Sequence, residues 1–487
     1  YGSILQGKGG GRESAFYAPK LKADFLSKEK CKISSFLSQE KCAIFIELSR
    51  EKCDNKIMKR RLYKDLAAWK NSQNRKPLIL EGARQVGKTW LLDEFGKNEY
   101  EHYIKINCEN NPEVKDLFID YDVKRILRII SAISHTPVVP GKTFIFFDEI
   151  QELPKALGSL KYFCENAGEF HVAAAGSLLG LKTRDGESFP VGKVDTLRLY
   201  PLNFEEFLLA VGEEQKAQIL SSCEWNDIAS LKSSFIELLR QYYFTGGMPE
   251  CVKEYAASGD VLEVRKIQKA ILHDYDDDIA KHAPKSDIAK IRIVWNSIPS
   301  QLAKENKKFV YGAIRKGARA AEYENAIQWL CDAGIVHKIT RVNKISMPIK
   351  FYEDFNAFKL FMNDCGLFGA FTDTPIKDII MGNSIFEEYK GAFTEQYVEQ
   401  QISSCRKEAI HYYTNENSTN EIDFVVQKDS AVLPIEVKAE ENLHSRSLKA
   451  VLDKDEKLRG LRISMSNYRA EKRFDSLPLY AVCAWFS

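Results

Sequence analysis

Gly82-Ala83-Arg84-Gln85-Val86-Gly87-Lys88-Thr89 follows the apolar run Pro77-Leu78-Ile79-Leu80 and precedes Leu91-Leu92-Asp93-Glu94-Phe95-Gly96-Lys97. The octapeptide fits GxxxxGK[ST], set between a predicted buried strand and a predicted helix. The context matters because successive backbone N–H groups at a helix N-terminus can surround phosphates, and only glycines permit that turn and that close approach. Gly82 to Thr89 is therefore expected to hold a nucleoside triphosphate. Lys88 would reach the β/γ-phosphates and Thr89 would ligate Mg²⁺.

Working outward, Thr143-Phe144-Ile145-Phe146-Phe147-Asp148-Glu149 is an apolar strand that ends in two carboxylates. Asp148 is expected to serve the metal. Glu149 is expected to orient and deprotonate a water aimed at the γ-phosphate, a role that a hydrolase needs and a kinase does not. A third strand, Phe170 to Ala175, ends in Gly176-Ser177, and Ser177 is a candidate sensor of the γ-phosphate. Tyr103 to Asn107 reads as a further strand and Lys155 to Asn166 as a helix. Such alternation is the pattern of a parallel sheet covered on both faces.

The whole chain has 487 residues, 44% of them apolar and 28% charged, which suits two to four domains and excludes global disorder. Seventy basic and 68 acidic residues leave a formal charge of +2, so any nucleic-acid contact must come from a local patch. No apolar stretch approaches the roughly 18–20 residues of a membrane span, and a soluble, cytoplasmic protein is expected. Eleven cysteines occur without a CxxC pair, which suits free thiols better than a disulfide framework or a zinc site. Residues 1–57 read differently: FLSKEKC, FLSQEKC and ELSREKC recur at a spacing of 11 and end at Cys31, Cys42 and Cys53. Translated upstream repeats are the plainest reading, with the working protein expected to begin at Met58.

GARQVGKT, FIFFDEIQ, AAAGSLLG, SFPVGKVDTLRLYPLNFEEFL and YFTGGMPECV occur in that order. The combination resembles prokaryotic AAA-type P-loop ATPases that carry a C-terminal domain of unknown function, from about Met58 to the C-terminus. The resemblance implies ATP as the nucleotide, an α/β P-loop core at 58–215, a helical lid at 216–284 and a winged-helix-like segment at 285–350. It further implies an α/β domain of PD-(D/E)xK nuclease-like fold at 351–487. The resemblance raises an arginine finger supplied by a neighbouring subunit, and with it an oligomer; the basic residues after the sensor strand are Lys182, Arg184, Lys193 and Arg198. Where relatives often carry Gly-Arg this chain has Gly192-Lys193, and lysine cannot make arginine's bidentate fork.

The remaining stretches carry weaker expectations. Tyr242 to Pro249, with Gly246-Gly247, reads as a sharp turn between helices. Asp274, Asp276, Asp277 and Asp278 read as a solvated helix face, and His273, His282 and His337 lack metal-ligand spacing. Arg315, Lys316 and Arg319 form a local basic cluster in the segment that could enter a DNA groove. In the last domain Asp423 in EIDFVV, with Glu436 and Lys438 in LPIEVKAE, matches a nuclease pattern in which acids hold Mg²⁺ and lysine positions water. Glu395, on a predicted helix, would be a fourth member. The favoured reading is a Mg²⁺-dependent ATPase for DNA binding or processing; the alternative is a nucleotide switch whose C-terminal domain binds a protein.

Overall fold

Alternate residues of the predicted strands are apolar on both sides, and the sheet they form is buried on both faces. In the computed structural model, which describes residues 58–109, 112–177, 189–304, 307–381, 384–406, 408–415, 420–440 and 445–487, Ile57–Ser487 forms one compact unit. The heptapeptide repeats lie outside the described residues.

The first sheet comprises β1 (Leu78–Glu81), β2 (His102–Asn107), β3 (Thr143–Asp148), β4 (His171–Ala175) and β5 (Asp195–Arg198). Its order is β2-β3-β4-β1-β5, and every pairing is parallel. Ile79, Ile145 and Phe147 pack against the Val123–Ser134 and Pro154–Asn166 helices on one face. Leu78, Leu80, Phe144 and Phe146 face the Leu62–Lys70 and Lys88–Glu99 helices on the other. Because β4 is inserted between β1 and β3, the carboxyl ends of the phosphate-loop strand and of the acid-bearing strand flank the tip of β4 and open on one edge.

Among the helices that follow are Trp225–Ser230, Lys232–Thr245, Pro249–Ser258 and Val261–His282. The expected turn is at Gly246-Gly247, where Gly246 has φ +72°. The Gly247 amide donates to Asp364 Oδ2 at 2.6 Å, and its carbonyl accepts from Leu202 N at 2.7 Å. A Cβ at Gly247 would lie 2.0 Å from the Leu202 carbonyl oxygen. Backbone cannot swing aside as a side chain can, so Gly247→Ala is expected to destabilise the fold by about 1–3 kcal/mol. The check is the urea midpoint, and an unchanged midpoint would show that the backbone at Leu202 yields.

Three helices, Ile288–Leu302, Tyr311–Ile314 and Ala320–Asp332, lead into β6 (Val336–Val342) and β7 (Glu353–Met362), an antiparallel pair. The sequence division at 350/351 falls inside this hairpin. β6 also pairs in parallel with β8 (Ile410–Thr414), so the hairpin is part of the C-terminal sheet. That sheet continues through β9 (Glu421–Lys428), β10 (Ala431–Val437), β11 (Gly460–Ser464), β12 (Arg469–Ala470) and β13 (Phe474–Pro478). Its order is β12-β13-β11-β10-β9-β8-β6-β7. The Ser384–Cys405 helix bridges the two halves: Gln401 Oε1 accepts from Phe204 N at 2.8 Å and Gln400 Oε1 from Cys365 N at 2.9 Å.

Candidate functional site

The loop after β1 adopts a conformation that few residues tolerate. Gly87 has φ +93°, and Gln85 sits in the left-handed region at φ +64°. At Gly82 a Cβ would come within 2.4 Å of the Leu199 carbonyl, so the chain just past β5 presses the loop from behind. The Lys88–Glu99 helix starts at the motif lysine. Lys88 is buried, and its Nζ donates to the Gly82 carbonyl at 3.0 Å and the Ala83 carbonyl at 2.8 Å. Burial pulls its pKa down to about 8, against the opposing pull of the Glu149 and Asp148 carboxylates.

Thr89 Oγ1 donates to Asp148 Oδ1 at 3.0 Å, so the hydroxyl and the carboxylate proposed for Mg²⁺ already converge. Asp148 is buried at the end of β3, and Lys105 from β2 stands 3.1 Å from its Oδ2. Lys105 was not foreseen; it is recognisable only once β2 and β3 are paired, with Asn107 opposite Asp148. Glu149 has φ +50°, which ends the strand abruptly and turns its side chain beside that of Gln151. Gln151 Nε2 donates to Glu149 Oε2 at 2.5 Å, and the glutamine is itself buried. Ser177 lies two residues past the end of β4, half-buried.

The loop is held from two sides by residues far along the chain. Arg60, buried, donates to the Val86 carbonyl at 3.0 Å and the Tyr200 carbonyl at 2.6 Å, and pairs with Glu206 at 3.1 Å. From the other side comes the Val261–His282 helix. Arg84 pairs with Asp278, Gln85 Nε2 donates to Asp274 Oδ2 at 2.7 Å, and Tyr275 Oη donates to the Arg84 carbonyl at 3.2 Å. Asp276 takes a two-pronged bond from Arg292, at 2.9 and 2.7 Å. The acidic run is thus not a plain solvated face as its sequence suggested. Its one-turn spacing places Asp274 and Asp278 on the side that meets the phosphate loop.

Among the finger candidates, Lys182 and Arg184 lie outside the described residues. Lys193 pairs with Glu165 at 2.9 Å, and Arg198 lies 5.1 Å from the Tyr200 ring. Of the histidines, His337 faces the buried Glu399 at 2.9 Å and His273 stands 3.9 Å from Asp277.

The second constellation does assemble, though not as an open metal centre. The antiparallel register pairs Ile435 with Phe424, which puts Asp423 and Glu436 on the next rung. Asp423 Oδ2 accepts from Val437 N at 2.7 Å, and Lys438 Nζ lies 2.9 Å from Glu436 Oε1. Glu395, from the Ser384–Cys405 helix, reaches the same place but pairs with Lys307. Lys359, fully buried on β7, lies 2.5 Å from Glu421 and 3.8 Å from Glu395. Burial, then the charge of Glu395, pushes the Asp423 pKa up to about 7. Burial would raise Glu395 too, but the two lysines together hold it below its ordinary range. Among the described residues no group of three or more His, Cys, Asp or Glu is arranged to hold a metal. Lys307 and Lys359 thus place beside Glu395 the kind of positive charge that was expected there from Mg²⁺.

Residues 74–208 match the family described as AAA domain. Residues 236–378 and 390–482 match two families described as domains of unknown function, DUF8612 and DUF4143. No curated protein matches the chain. A Walker-type ATPase of Pyrococcus abyssi is similar in structure at 15% identity and TM-score 0.42, over 65% of this chain and 96% of that one. The Aeropyrum pernix Orc1 protein in complex with DNA is similar at 14% identity and TM-score 0.27, over 65% and 91%. The Thermotoga maritima RuvB Holliday junction branch migration motor follows at 16% identity and TM-score 0.28, over 60% and 88%. The parallel sheet with its phosphate loop lies within the residues that match the AAA domain. No helix among the described residues is long and apolar enough to cross a membrane.

Proposed function

We propose that this chain binds and hydrolyses ATP, and that nucleotide occupancy is passed through the Val261–His282 helix to the C-terminal half. The observation that carries the reading is the convergence of Lys88, Thr89, Asp148 and Glu149 on one sheet edge, with Thr89 and Asp148 in direct hydrogen bond. Loop amides from Gly82 to Thr89 would receive the phosphates, and Lys88 would exchange two carbonyl partners for phosphate oxygens. Thr89 and Asp148 would hold Mg²⁺, which supplies charge neutralisation at the β/γ-oxygens. Glu149, oriented by Gln151, would take the proton of the attacking water, and Ser177 would sense the γ-phosphate.

Arg84 and Gln85 belong to the phosphate loop yet bond to Asp278 and Asp274, so a loop that rearranges around phosphate must alter those bonds. Tyr275 extends the connection, because its hydroxyl accepts from Asn363 Nδ2 at 3.3 Å beside the buried Asp364. The output we favour is DNA binding. Three helices followed by a hairpin support a winged-helix-like segment, and Arg315, Lys316 and Arg319 are exposed on it. The strand pairing of Asp423 and Glu436 supports a nuclease-like scaffold, and the lysines within it support binding rather than cleavage. A protein partner is the second reading, favoured by Phe351 and Phe355, which are 81% and 68% exposed around the start of β7.

ATPase assays of the protein with duplex DNA separate the two. On the DNA reading, stimulation falls steeply between low and moderate salt as condensed counterions compete, and a triple alanine variant at Arg315, Lys316 and Arg319 loses it. Hydrolysis indifferent to DNA at low salt would overturn that output and direct attention to the exposed phenylalanines.

A further inference from the structure

Beside the phosphate loop, a cavity of about 390 Å³ is lined by Arg60, Arg61, Arg198, Tyr200, Cys405 and Arg406, among others. Cys405 ends the Ser384–Cys405 helix and is partly exposed; Cys483, on the short Val482–Phe486 helix, is buried. The two helices pack together, and the side chains of Cys405 and Cys483 come within hydrogen-bonding reach of each other. Ser404 Oγ lies 3.6 Å from Cys405 Sγ, while Ser487 Oγ lies 3.9 Å from Cys483 Sγ and accepts from Arg61 Nη1 at 2.6 Å. In the sequence these are ordinary free thiols, since 77 residues lie between them and no CxxC marks them.

We propose that Cys405 and Cys483 are an oxidisable thiol pair, in which Cys405 reacts with a hydroperoxide entering through the cavity and Cys483 resolves the product to an intramolecular disulfide. Three features of the setting favour Cys405 as the attacking sulfur. It is the accessible member of the pair, Ser404 Oγ and the Cys483 thiol are its hydrogen-bonding neighbours, and the Arg61 guanidinium attracts its negative form. The neighbouring Cys483 thiol, and with it Arg61, holds the Cys405 thiol below the ordinary thiol range, whereas the Cys405 sulfur and burial push Cys483 far up. Elsewhere burial pushes Cys108 up to about 12 and raises Cys223, Cys251 and Cys365. Those thiols are the wrong kind for attack.

The chemistry balances with the hydroperoxide as oxidant. The Cys405 thiolate attacks the peroxide oxygen; an S–O bond forms, the O–O bond breaks, and with hydrogen peroxide the departing hydroxide leaves as water after taking a proton. The Cys483 sulfur then attacks the sulfenic sulfur of Cys405. The S–S bond forms, the S–O bond breaks, and a second water leaves with the Cys483 proton. Two thiols surrender two electrons to one peroxide.

The test is peptide mapping of the full chain after brief exposure to hydrogen peroxide and thiol blocking. The Cys405–Cys483 disulfide is expected to form earliest, at least about tenfold faster than oxidation at the partly exposed Cys164 or Cys331. Cys483→Ser should leave sulfenic acid at Cys405, trapped by dimedone, and Cys405→Ser should leave Cys483 unmodified. Wild-type mapping stands even where a variant folds poorly. Oxidation of Cys164 or Cys331 ahead of Cys405, or a Cys405–Cys483 pair still fully alkylatable when they are oxidised, would overturn the proposal.

Discussion

Replacing Lys88 by alanine is expected to weaken ATP binding by roughly a thousandfold. The ammonium is one of few full charges available to the β/γ-phosphates, and charge-assisted hydrogen bonds contribute about 1.5–3 kcal/mol each. Two such bonds lost correspond to about 4 kcal/mol, which is that factor in Kd. The variant should still fold, because the partners it abandons are the Gly82 and Ala83 carbonyls, free to take water once the side chain is gone. Titration with a fluorescent ATP analogue checks this, and near-native affinity would remove Lys88 from the phosphate site. The same lysine sets a pH dependence. Its folded pKa is lowered to about 8, so in the free protein it is mostly charged at neutral pH and loses its proton as pH rises through that value. Bound phosphate favours the charged form, and ATP affinity should accordingly fall as pH rises above about 8.

Glu149→Gln separates binding from chemistry. The amide preserves shape but cannot accept the proton of the attacking water, and general-base catalysis contributes about 10²- to 10⁴-fold. Turnover is expected to fall by that factor while nucleotide affinity holds, since Glu149 makes none of the contacts assigned to phosphate or Mg²⁺. Pre-steady-state hydrolysis beside equilibrium binding gives both quantities. Undiminished turnover would mean that a different group activates the water.

Both predictions concern residues that could be read directly from the sequence, and the reason is local. Loop conformation, strand termination and helix start are set by residues within a few positions of one another, so GARQVGKT and FIFFDE display their geometry in one dimension. The braces could not be read that way. Arg60 meets Glu206 across 146 residues, Arg84 meets Asp278 across 194, and Lys307 meets Glu395 across 88. Each partner taken alone is an ordinary charged residue, which is why the acidic run at Asp274 to Asp278 looked solvated and the acids at Glu395, Asp423 and Glu436 looked ready for metal. Lys359 shows the limit most plainly: it lies among Ala357, Phe358, Leu360 and Phe361 on a strand, and only the pairing of distant acids explains a fully buried lysine there.

The parallel pairing of β6 with β8 has a consequence for how the chain is made. Once β6 and β7 have left the ribosome they can pair with each other, but the second edge of β6 must wait for residues 410–414. At roughly 5–20 residues per second that interval lasts several seconds. Through it an open strand edge is offered to any neighbouring nascent chain, so crowded polysomes and scarce chaperones should cost this protein more of its yield than heat or denaturant would suggest.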